Sequence, residues 1–182
     1  MSHLSVAVIV GSLRKESFNR QLAEALVKLG PEDAHFDFLR IDDLPLYNQD
    51  EDGQQAGPVL RLKREIKAAD GVLFVTPEYN RSVPGVLKNA IDNASRPYGD
   101  SAFAGKPAGI VGVSIGAIGT ALAQQHLRNI LAYLDMPTLG QPEAFLQSGE
   151  GLMTPDGEIG PKSRDFLQGW MDHFITHVRR HG

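Results

Sequence analysis

The sequence predicts an α/β protein built on one parallel sheet, because short strand-like runs alternate with longer segments of helical periodicity. The runs are rich in β-branched residues and almost continuously apolar, as expected for strands that are buried on both faces. The chain has 182 residues, close to the usual size of one domain of about 150 residues, so a single domain over 1–182 is expected. Hydrophobic residues make up 42% and charged residues 22%, which excludes disordered and collagen-like chains.

Five strand and helix units follow one another along the chain. The predicted strands are 4–10, 35–41, 72–75, 107–113 and a weak fifth at 136–139. The predicted helices are 18–29, 59–69, 83–94, 118–134 and 166–178, and the loosely composed segment 42–58 is expected to be a long surface loop. Five such units favour a flavodoxin-like arrangement of three layers, with strand order 2-1-3-4-5, over the six-stranded dinucleotide-binding fold.

Charge and cysteine content exclude several classes of function. The chain has no cysteine, so disulfides, thiolate metal sites and a catalytic thiol are absent, and a cytoplasmic protein is expected. A net charge of -4 argues against general nucleic-acid binding. No apolar run approaches the roughly 20 residues that cross a bilayer, and the first run lacks the flanks of a signal peptide. We therefore expect no membrane insertion.

No metal site is expected either. Residues 48–53 are similar to the first half of a calcium-binding loop, but the twelfth position is Val59 instead of glutamate. His173 and His177 lie one helical turn apart without the surrounding motif of a zinc site, which favours a solvated helix face. Trp170 lies at core spacing and is expected to be a packing residue.

Three loops are expected to form the functional site. In an open parallel sheet, ligands bind beyond the carboxyl ends of the strands, where the strand order reverses. Residues 11–19, 76–84 and 114–120 follow predicted strands there.

The first loop has the composition of a phosphate-binding site. It carries Ser12, Arg14, Ser17 and Asn19 directly before a helix N-terminus, which offers unpaired N–H groups and partial positive charge. The alternative is an ordinary helix start that is capped by Ser17 or Asn19. The sequence has neither a nucleotide-binding Walker loop nor a GxGxxG fingerprint, which argues against a nucleoside-triphosphate enzyme and a tightly held NAD.

The second loop is rigid and partly aromatic. Pro77 and Pro84 restrict its backbone, and Tyr79 offers a flat wall. Its backbone N–H and C=O groups are suited to the edge of a planar heterocycle. The alternative is a well-formed turn between a strand and a helix.

The third loop allows two interpretations. Residues 112–116 match the GxSxG pattern of a hydrolase nucleophile, here Ser114, and Asp135 and His173 or His177 follow in the order of a catalytic triad. Alternatively, its small residues let a flat ligand approach the backbone closely.

Two stretches together resemble the NADPH-dependent FMN reductase family. They are GSLRKESFN at 11–19, and PEYN at 77–80 with SVPGVLKNAID at 82–92. Within the family, the sequence is most similar to the bacterial quinone, chromate and azo-dye reductases. The resemblance extends from Val6 to about Leu134, whereas 141–182 is only generically similar.

The resemblance implies a bound FMN and assigns its contacts. The first loop would hold the phosphate, through Ser12, Leu13, Arg14, Ser17, Phe18 and Asn19. The second would line the isoalloxazine, through Pro77, Glu78, Tyr79, Asn80 and Arg81, and the third would add Ser114 and Gly116. Arg81 and Asn93 depart from the family's pattern, which is expected to affect substrate preference or subunit contacts.

The resemblance also implies a reaction. Hydride would pass from NADPH or NADH to FMN and then to a quinone, chromate, an azo compound or free flavin, in a ping-pong sequence without a catalytic side chain, since the cofactor does the redox chemistry. A homodimer or homotetramer is implied as well. The alternative from another class is a flavodoxin-like electron carrier without NAD(P)H turnover, although such carriers usually present a strongly acidic docking face.

Overall fold

A five-stranded parallel sheet lies between two layers of helices. The computed structural model describes residues 3–182, with strands β1 Leu4–Val10, β2 Ala34–Phe38, β3 Gly71–Val75, β4 Ala108–Ser114 and β5 Phe145–Gln147. The helices are α1 Phe18–Val27, α2 Gly57–Ala68, α3 Gly85–Ala94, α4 Ala121–Tyr133 and α5 Pro161–His181, with a short 3-10 turn at Gln49–Glu51. The order β2-β1-β3-β4-β5 confirms the predicted flavodoxin-like topology.

Each face of the sheet has its own apolar core. Successive side chains of β1 alternate between the two, so that Val8 packs with α1 and α5, whereas Ile9 packs with α2, α3 and α4. Trp170 is fully buried and stacks on Phe174 at 5.6 Å between ring centroids, which confirms its predicted packing role. Burying a side chain of this kind stabilises the fold by about 1.5–3 kcal/mol. The two cores hold the loops at the carboxyl edge on a rigid base.

The fifth strand lies elsewhere than predicted. The segment 136–139 makes only one isolated bridge, between Thr138 and Ala108 at the start of β4. The chain leaves α4 through Asp135, which has a left-handed φ of 58°, and Pro137 has no N–H to donate. The parallel strand forms instead at Phe145–Gln147, against the last three residues of β4.

Other element boundaries differ by a few residues from those predicted. β2 ends at Phe38, and its burial alternates, with His35 and Asp37 exposed and hydrogen-bonded to each other at 3.0 Å. α5 begins at Pro161, five residues before the predicted start. Its first turn is mostly exposed, so it carries no apolar stripe from which a helix start could be predicted.

Asn93 on α3 hydrogen-bonds to the long loop 42–58. Its side-chain amide is buried and donates hydrogen bonds to the carbonyl oxygens of Pro45 at 3.1 Å and Asn89 at 3.0 Å. Asn89 in turn accepts a hydrogen bond from the N–H of Tyr47 at 2.9 Å. This departure from the family pattern therefore has a structural role within the chain.

We expect replacement of Asp100 by asparagine to destabilise the fold in a pH-dependent way. Asp100 accepts hydrogen bonds from the buried Lys63 ammonium at 2.7 Å and from Lys67 at 2.5 Å, and these two cations lower the pKa of Asp100 from 3.8 to about 2. Since the pKa is lower in the folded state, the contribution is complete above about pH 4 and is lost as the pH falls towards 2.

Denaturant unfolding of the parent and Asp100→Asn between pH 3 and 7 measures this contribution. The difference in unfolding free energy is largest at neutral pH and shrinks on acidification. The exposed Asp156 provides the control in Asp156→Asn, for which no such trend is expected. A difference that stays constant with pH would contradict the assignment.

Within residues 3–182, no helix is both long and apolar enough to cross a membrane.

Candidate functional site

The three predicted loops meet at the carboxyl edge of the sheet and enclose one cleft. Its volume is about 200 Å³, and its lining includes nine of the thirteen predicted site residues. These are Ser12, Arg14, Ser17, Phe18, Asn19, Pro77, Glu78, Tyr79 and Ser114. Val113 and Ile115 also line the cleft and were not predicted. The remaining four predicted residues, Leu13, Asn80, Arg81 and Gly116, lie in the same loops but outside this lining.

The start of α1 presents unpaired backbone donors. Ser17 is the N-cap, and its Oγ accepts a hydrogen bond from the N–H of Arg20 at 3.2 Å. Within residues 3–182, the N–H groups of Lys15, Glu16, Phe18 and Asn19 have no hydrogen-bond acceptor. The capping interpretation of Ser17 is therefore correct, but it leaves several donors for an anion at the helix N-terminus.

Asn19 joins the first loop to β4. Its Nδ2 donates to the carbonyl of Val113 at 2.9 Å, and its Oδ1 accepts from the N–H of the same residue at 3.0 Å. The side chain is 3% exposed. Because its carboxamide bridges both backbone groups of Val113, Asn19 shapes the cleft from within the fold. Its second Nδ2–H and its backbone N–H are the donors that it retains for a phosphate.

Arg14 is an exposed cation at the site. Its guanidinium lies 5.1 Å from the centre of the Phe18 ring, a cation–π distance. The residue is exposed, and no carboxylate of residues 3–182 lies within salt-bridge distance of it. Ser12 Oγ accepts a weak bond from the Arg14 N–H at 3.4 Å. The guanidinium is thus available to a bound anion.

The second loop is a tight turn. Tyr79 and Ser82 exchange two backbone hydrogen bonds, at 3.1 and 3.0 Å. Asn80 and Arg81 between them have left-handed φ values of 51° and 62°. Two left-handed central residues define the type I′ turn, which asparagine tolerates better than arginine does. Arg81 is therefore held at the exposed tip of the turn.

Glu78 connects the second loop to α4. Its Oε2 accepts hydrogen bonds from the N–H groups of Leu122 at 3.0 Å and Ala123 at 3.1 Å. The N-cap residue of this helix, Thr120, has a left-handed φ of 68° and makes no capping bond of its own. The cap comes from a residue 44 positions earlier, and sequence spacing carries no signal for it.

The geometry does not support a hydrolase. Ser114 Oγ donates to the carbonyl of Gly116 at 2.8 Å, so its proton is not directed at a histidine. His177 Nε2 lies 2.9 Å from the carbonyl oxygen of Pro137, and the next residue, Thr138, pairs with Ala108 at the start of β4. Ser114 is at the other end of that strand, about 20 Å away at 3.3 Å per residue. His173, the other candidate, lies one turn earlier on α5, with its Nδ1 2.7 Å from the carbonyl oxygen of Gly169. Neither histidine therefore forms a triad with Ser114.

The donors around the cleft fit FMN. A phosphate monoester requires several N–H donors and a cation, which the start of α1 and Arg14 provide. A Cβ on Gly116 would meet no atom within 4 Å, so packing within the protein does not require glycine at this position. The missing side chain leaves space beside the third loop. Tyr79 and Ile115 are 51% and 76% exposed and give the cleft an apolar rim for a flat ring.

Comparison with known proteins supports the same cofactor. The model of the NADPH-dependent FMN reductase family matches residues 4–151. A 2-hydroxy-1,4-benzoquinone reductase from a Burkholderia species is 52% identical over 177 residues, which cover 97% of both chains. An NAD(P)H-dependent FMN reductase of Pseudomonas aeruginosa is 41% identical over 179 residues, which cover 97% of this chain and 96% of that one.

A solved structure agrees with the sequence comparison. FerB of Paracoccus denitrificans, a flavoenzyme NAD(P)H:(acceptor) oxidoreductase, has a TM-score of 0.94 and 46% identity, over 98% of this chain and 99% of its own. Fold, cleft and relatives thus agree, and this chain belongs to the NADPH-dependent FMN reductase family.

Proposed function

We propose that this protein is an FMN-dependent NAD(P)H oxidoreductase that reduces quinone-type acceptors. The observation that carries the proposal is the cleft in which all three loops meet, with free N–H donors at the start of α1 and an apolar rim at Tyr79 and Ile115. The relatives named as quinone and benzoquinone reductases support the acceptor class.

The role of the chain's own residues is to bind FMN and to orient it. The N–H groups before α1, together with Ser12 and Arg14, would hold the phosphate, and the backbone from Pro77 to Arg81 and around Ser114 and Gly116 would contact the ring system. Bound FMN supplies the hydride-accepting chemistry. Backbone dipoles fixed in these loops would stabilise the negative charge that FMN gains on reduction, without any rearrangement of the loops.

One open side of the cleft serves both substrates. Tyr79 and Ile115 offer an exposed apolar surface on which a nicotinamide or a quinone ring can lie. Because both substrates would use the same surface, they would bind in turn, which gives ping-pong kinetics. Reduction of the flavin by NAD(P)H, the first half of this reaction, distinguishes the enzyme from a flavodoxin-like carrier.

Anaerobic reduction tests the proposed function. The purified protein is expected to be yellow with FMN, to bleach with NADPH or NADH, and to regain its colour when a benzoquinone is added. Steady-state kinetics with both nicotinamides should give parallel double-reciprocal lines. Flavin that stays oxidised would identify a carrier, and protein that refuses FMN would exclude both functions.

Replacing Arg14 by alanine is expected to weaken FMN binding about tenfold, the usual effect of losing one charge-assisted hydrogen bond. Titration of the apoprotein with FMN, followed by flavin fluorescence, measures the dissociation constant. Arg64 on α2 is exposed and lies outside the cleft lining, so Arg64→Ala is the matched control. Equal affinities of the two variants would contradict a phosphate contact by Arg14.

The same proposal includes the protein's setting. Residues 1–182 act as one FMN-binding domain in the cytoplasm, as a homodimer or homotetramer, without nucleic-acid partners. The absence of cysteine supports the cytoplasmic location. The net charge of -4 supports the absence of nucleic-acid partners. Light scattering at several protein concentrations tests the oligomeric state.

A further inference from the structure

Both ends of the second loop's turn are joined to the first turns of α4. On one side, the Glu78 carboxylate accepts hydrogen bonds from the N–H groups of Leu122 and Ala123 at 3.0 and 3.1 Å. On the other side, Ser82 Oγ is 2.9 Å from Nδ1 of His126. The turn and the start of α4 therefore form one unit, although about 40 residues separate them in the sequence.

The contact made by Glu78 also has an electrostatic consequence. A helix N-terminus carries roughly half a positive elementary charge, and a carboxylate bonded to its amides offsets that charge. Glu78 lines the cleft, so its negative charge and the positive end of α4 both lie beside the proposed ring site. The reduced flavin carries more negative charge than the oxidised flavin, so this local charge affects the two oxidation states differently.

We infer that Glu78 is a positioning residue that holds the second loop against α4 and lowers the reduction potential of the bound flavin. The inference rests on the proposed function. The carboxylate has two separable roles: its oxygen fixes the loop through two hydrogen bonds, and its charge disfavours the reduced flavin. Glu78→Gln keeps an oxygen acceptor and removes the charge, whereas Glu78→Ala removes both.

Amide hydrogen exchange of the apoprotein tests the first role without any cofactor. The N–H groups of a helix's first turn have no partner inside the helix, so protection at Leu122 and Ala123 reports on the Glu78 contact. We expect this protection to fall about tenfold or more in Glu78→Ala, the effect of losing a hydrogen bond to a charged group. Unchanged exchange at both amides in Glu78→Ala would overturn the contact.

The FMN reduction potential tests the second role. For Glu78→Gln we expect the ratio of dissociation constants for oxidised over reduced FMN to rise about tenfold, which for two electrons is a potential about 30 mV more positive. Glu32 is exposed, in the loop before β2 at the opposite edge of the sheet, and Glu32→Gln should leave the potential unchanged. A Glu78→Gln potential equal to the parent's would reduce Glu78 to a purely structural contact and overturn the inference.

These two measurements separate this inference from the proposed function. If the apoprotein took up no FMN, or NAD(P)H failed to reduce it, the proposed function would fail, and the exchange data would still decide whether Glu78 fixes the loop. Ser82→Ala removes the second connection only, so protection at Leu122 and Ala123 should persist in that variant. Its loss there would contradict the assignment of the cap to Glu78.

Discussion

Asn19→Ala is expected to lower the free energy of unfolding by about 3 kcal/mol, since two buried backbone groups lose their partners at about 1–3 kcal/mol each. The side chain satisfies both the N–H and the carbonyl of Val113 at 3.0 and 2.9 Å. Alanine leaves both groups buried and unpaired, and it also opens a small cavity between α1 and β4. Urea unfolding of the apoprotein measures the loss.

FMN binding is expected to weaken in the same variant, because Asn19 and Val113 both line the cleft. Asn129 on the exposed face of α4 supplies the control: Asn129→Ala should stay within about 0.5 kcal/mol of the parent, as surface substitutions usually do. If Asn19→Ala matched that control in stability, the two hydrogen bonds would have no net energetic role.

Gly112→Ala is expected to lower the free energy of unfolding by about 3 kcal/mol, at the upper end of the range for overpacking a tight core. An added Cβ would lie well inside 3.0 Å of the Thr76 carbonyl oxygen and of Thr120 Oγ1. The carbonyl belongs to the backbone that follows β3, and Thr120 is fully buried. Relief of the clash requires β3 and β4 to separate at the edge that carries the site.

Gly116 is the matched control from the same GxSxG pattern. A Cβ at this position meets nothing within 4 Å, so Gly116→Ala should unfold within about 0.5 kcal/mol of the parent. Its FMN affinity should fall, since the added methyl group would occupy space that the proposed ring requires. Thermal unfolding and fluorescence titration of both variants check the pair. Equal stability of Gly112→Ala and Gly116→Ala would refute the packing argument.

The sequence predicted the topology and the three loops that meet at the candidate cleft. Alternating apolar periods determine which segments are strands and helices, and the parallel arrangement brings the segments after β1, β3 and β4 to one edge. The three loops can therefore be identified from the sequence alone. The sequence also places a cation, Arg14, directly before a predicted helix, whereas acidic residues cluster in the long loop.

Contacts between distant segments could not be predicted from the sequence. Asn19 pairs with Val113 at a separation of 94 residues, and Glu78 caps a helix 44 residues later. Such pairs follow from how elements pack, and a single sequence holds no period that reveals them. The fifth strand was misplaced for a related reason: its three residues form a strand only because the end of β4 offers them a partner.

The two edges of the sheet bear on how the protein behaves at high concentration. Exposed strand edges serve as templates for aggregation when they are long, flat and apolar. β2 alternates apolar residues with the exposed pair His35 and Asp37, and β5 has only three residues. Neither edge is suited to extension by another chain. Association of copies by adding a strand to either edge of this sheet is therefore disfavoured.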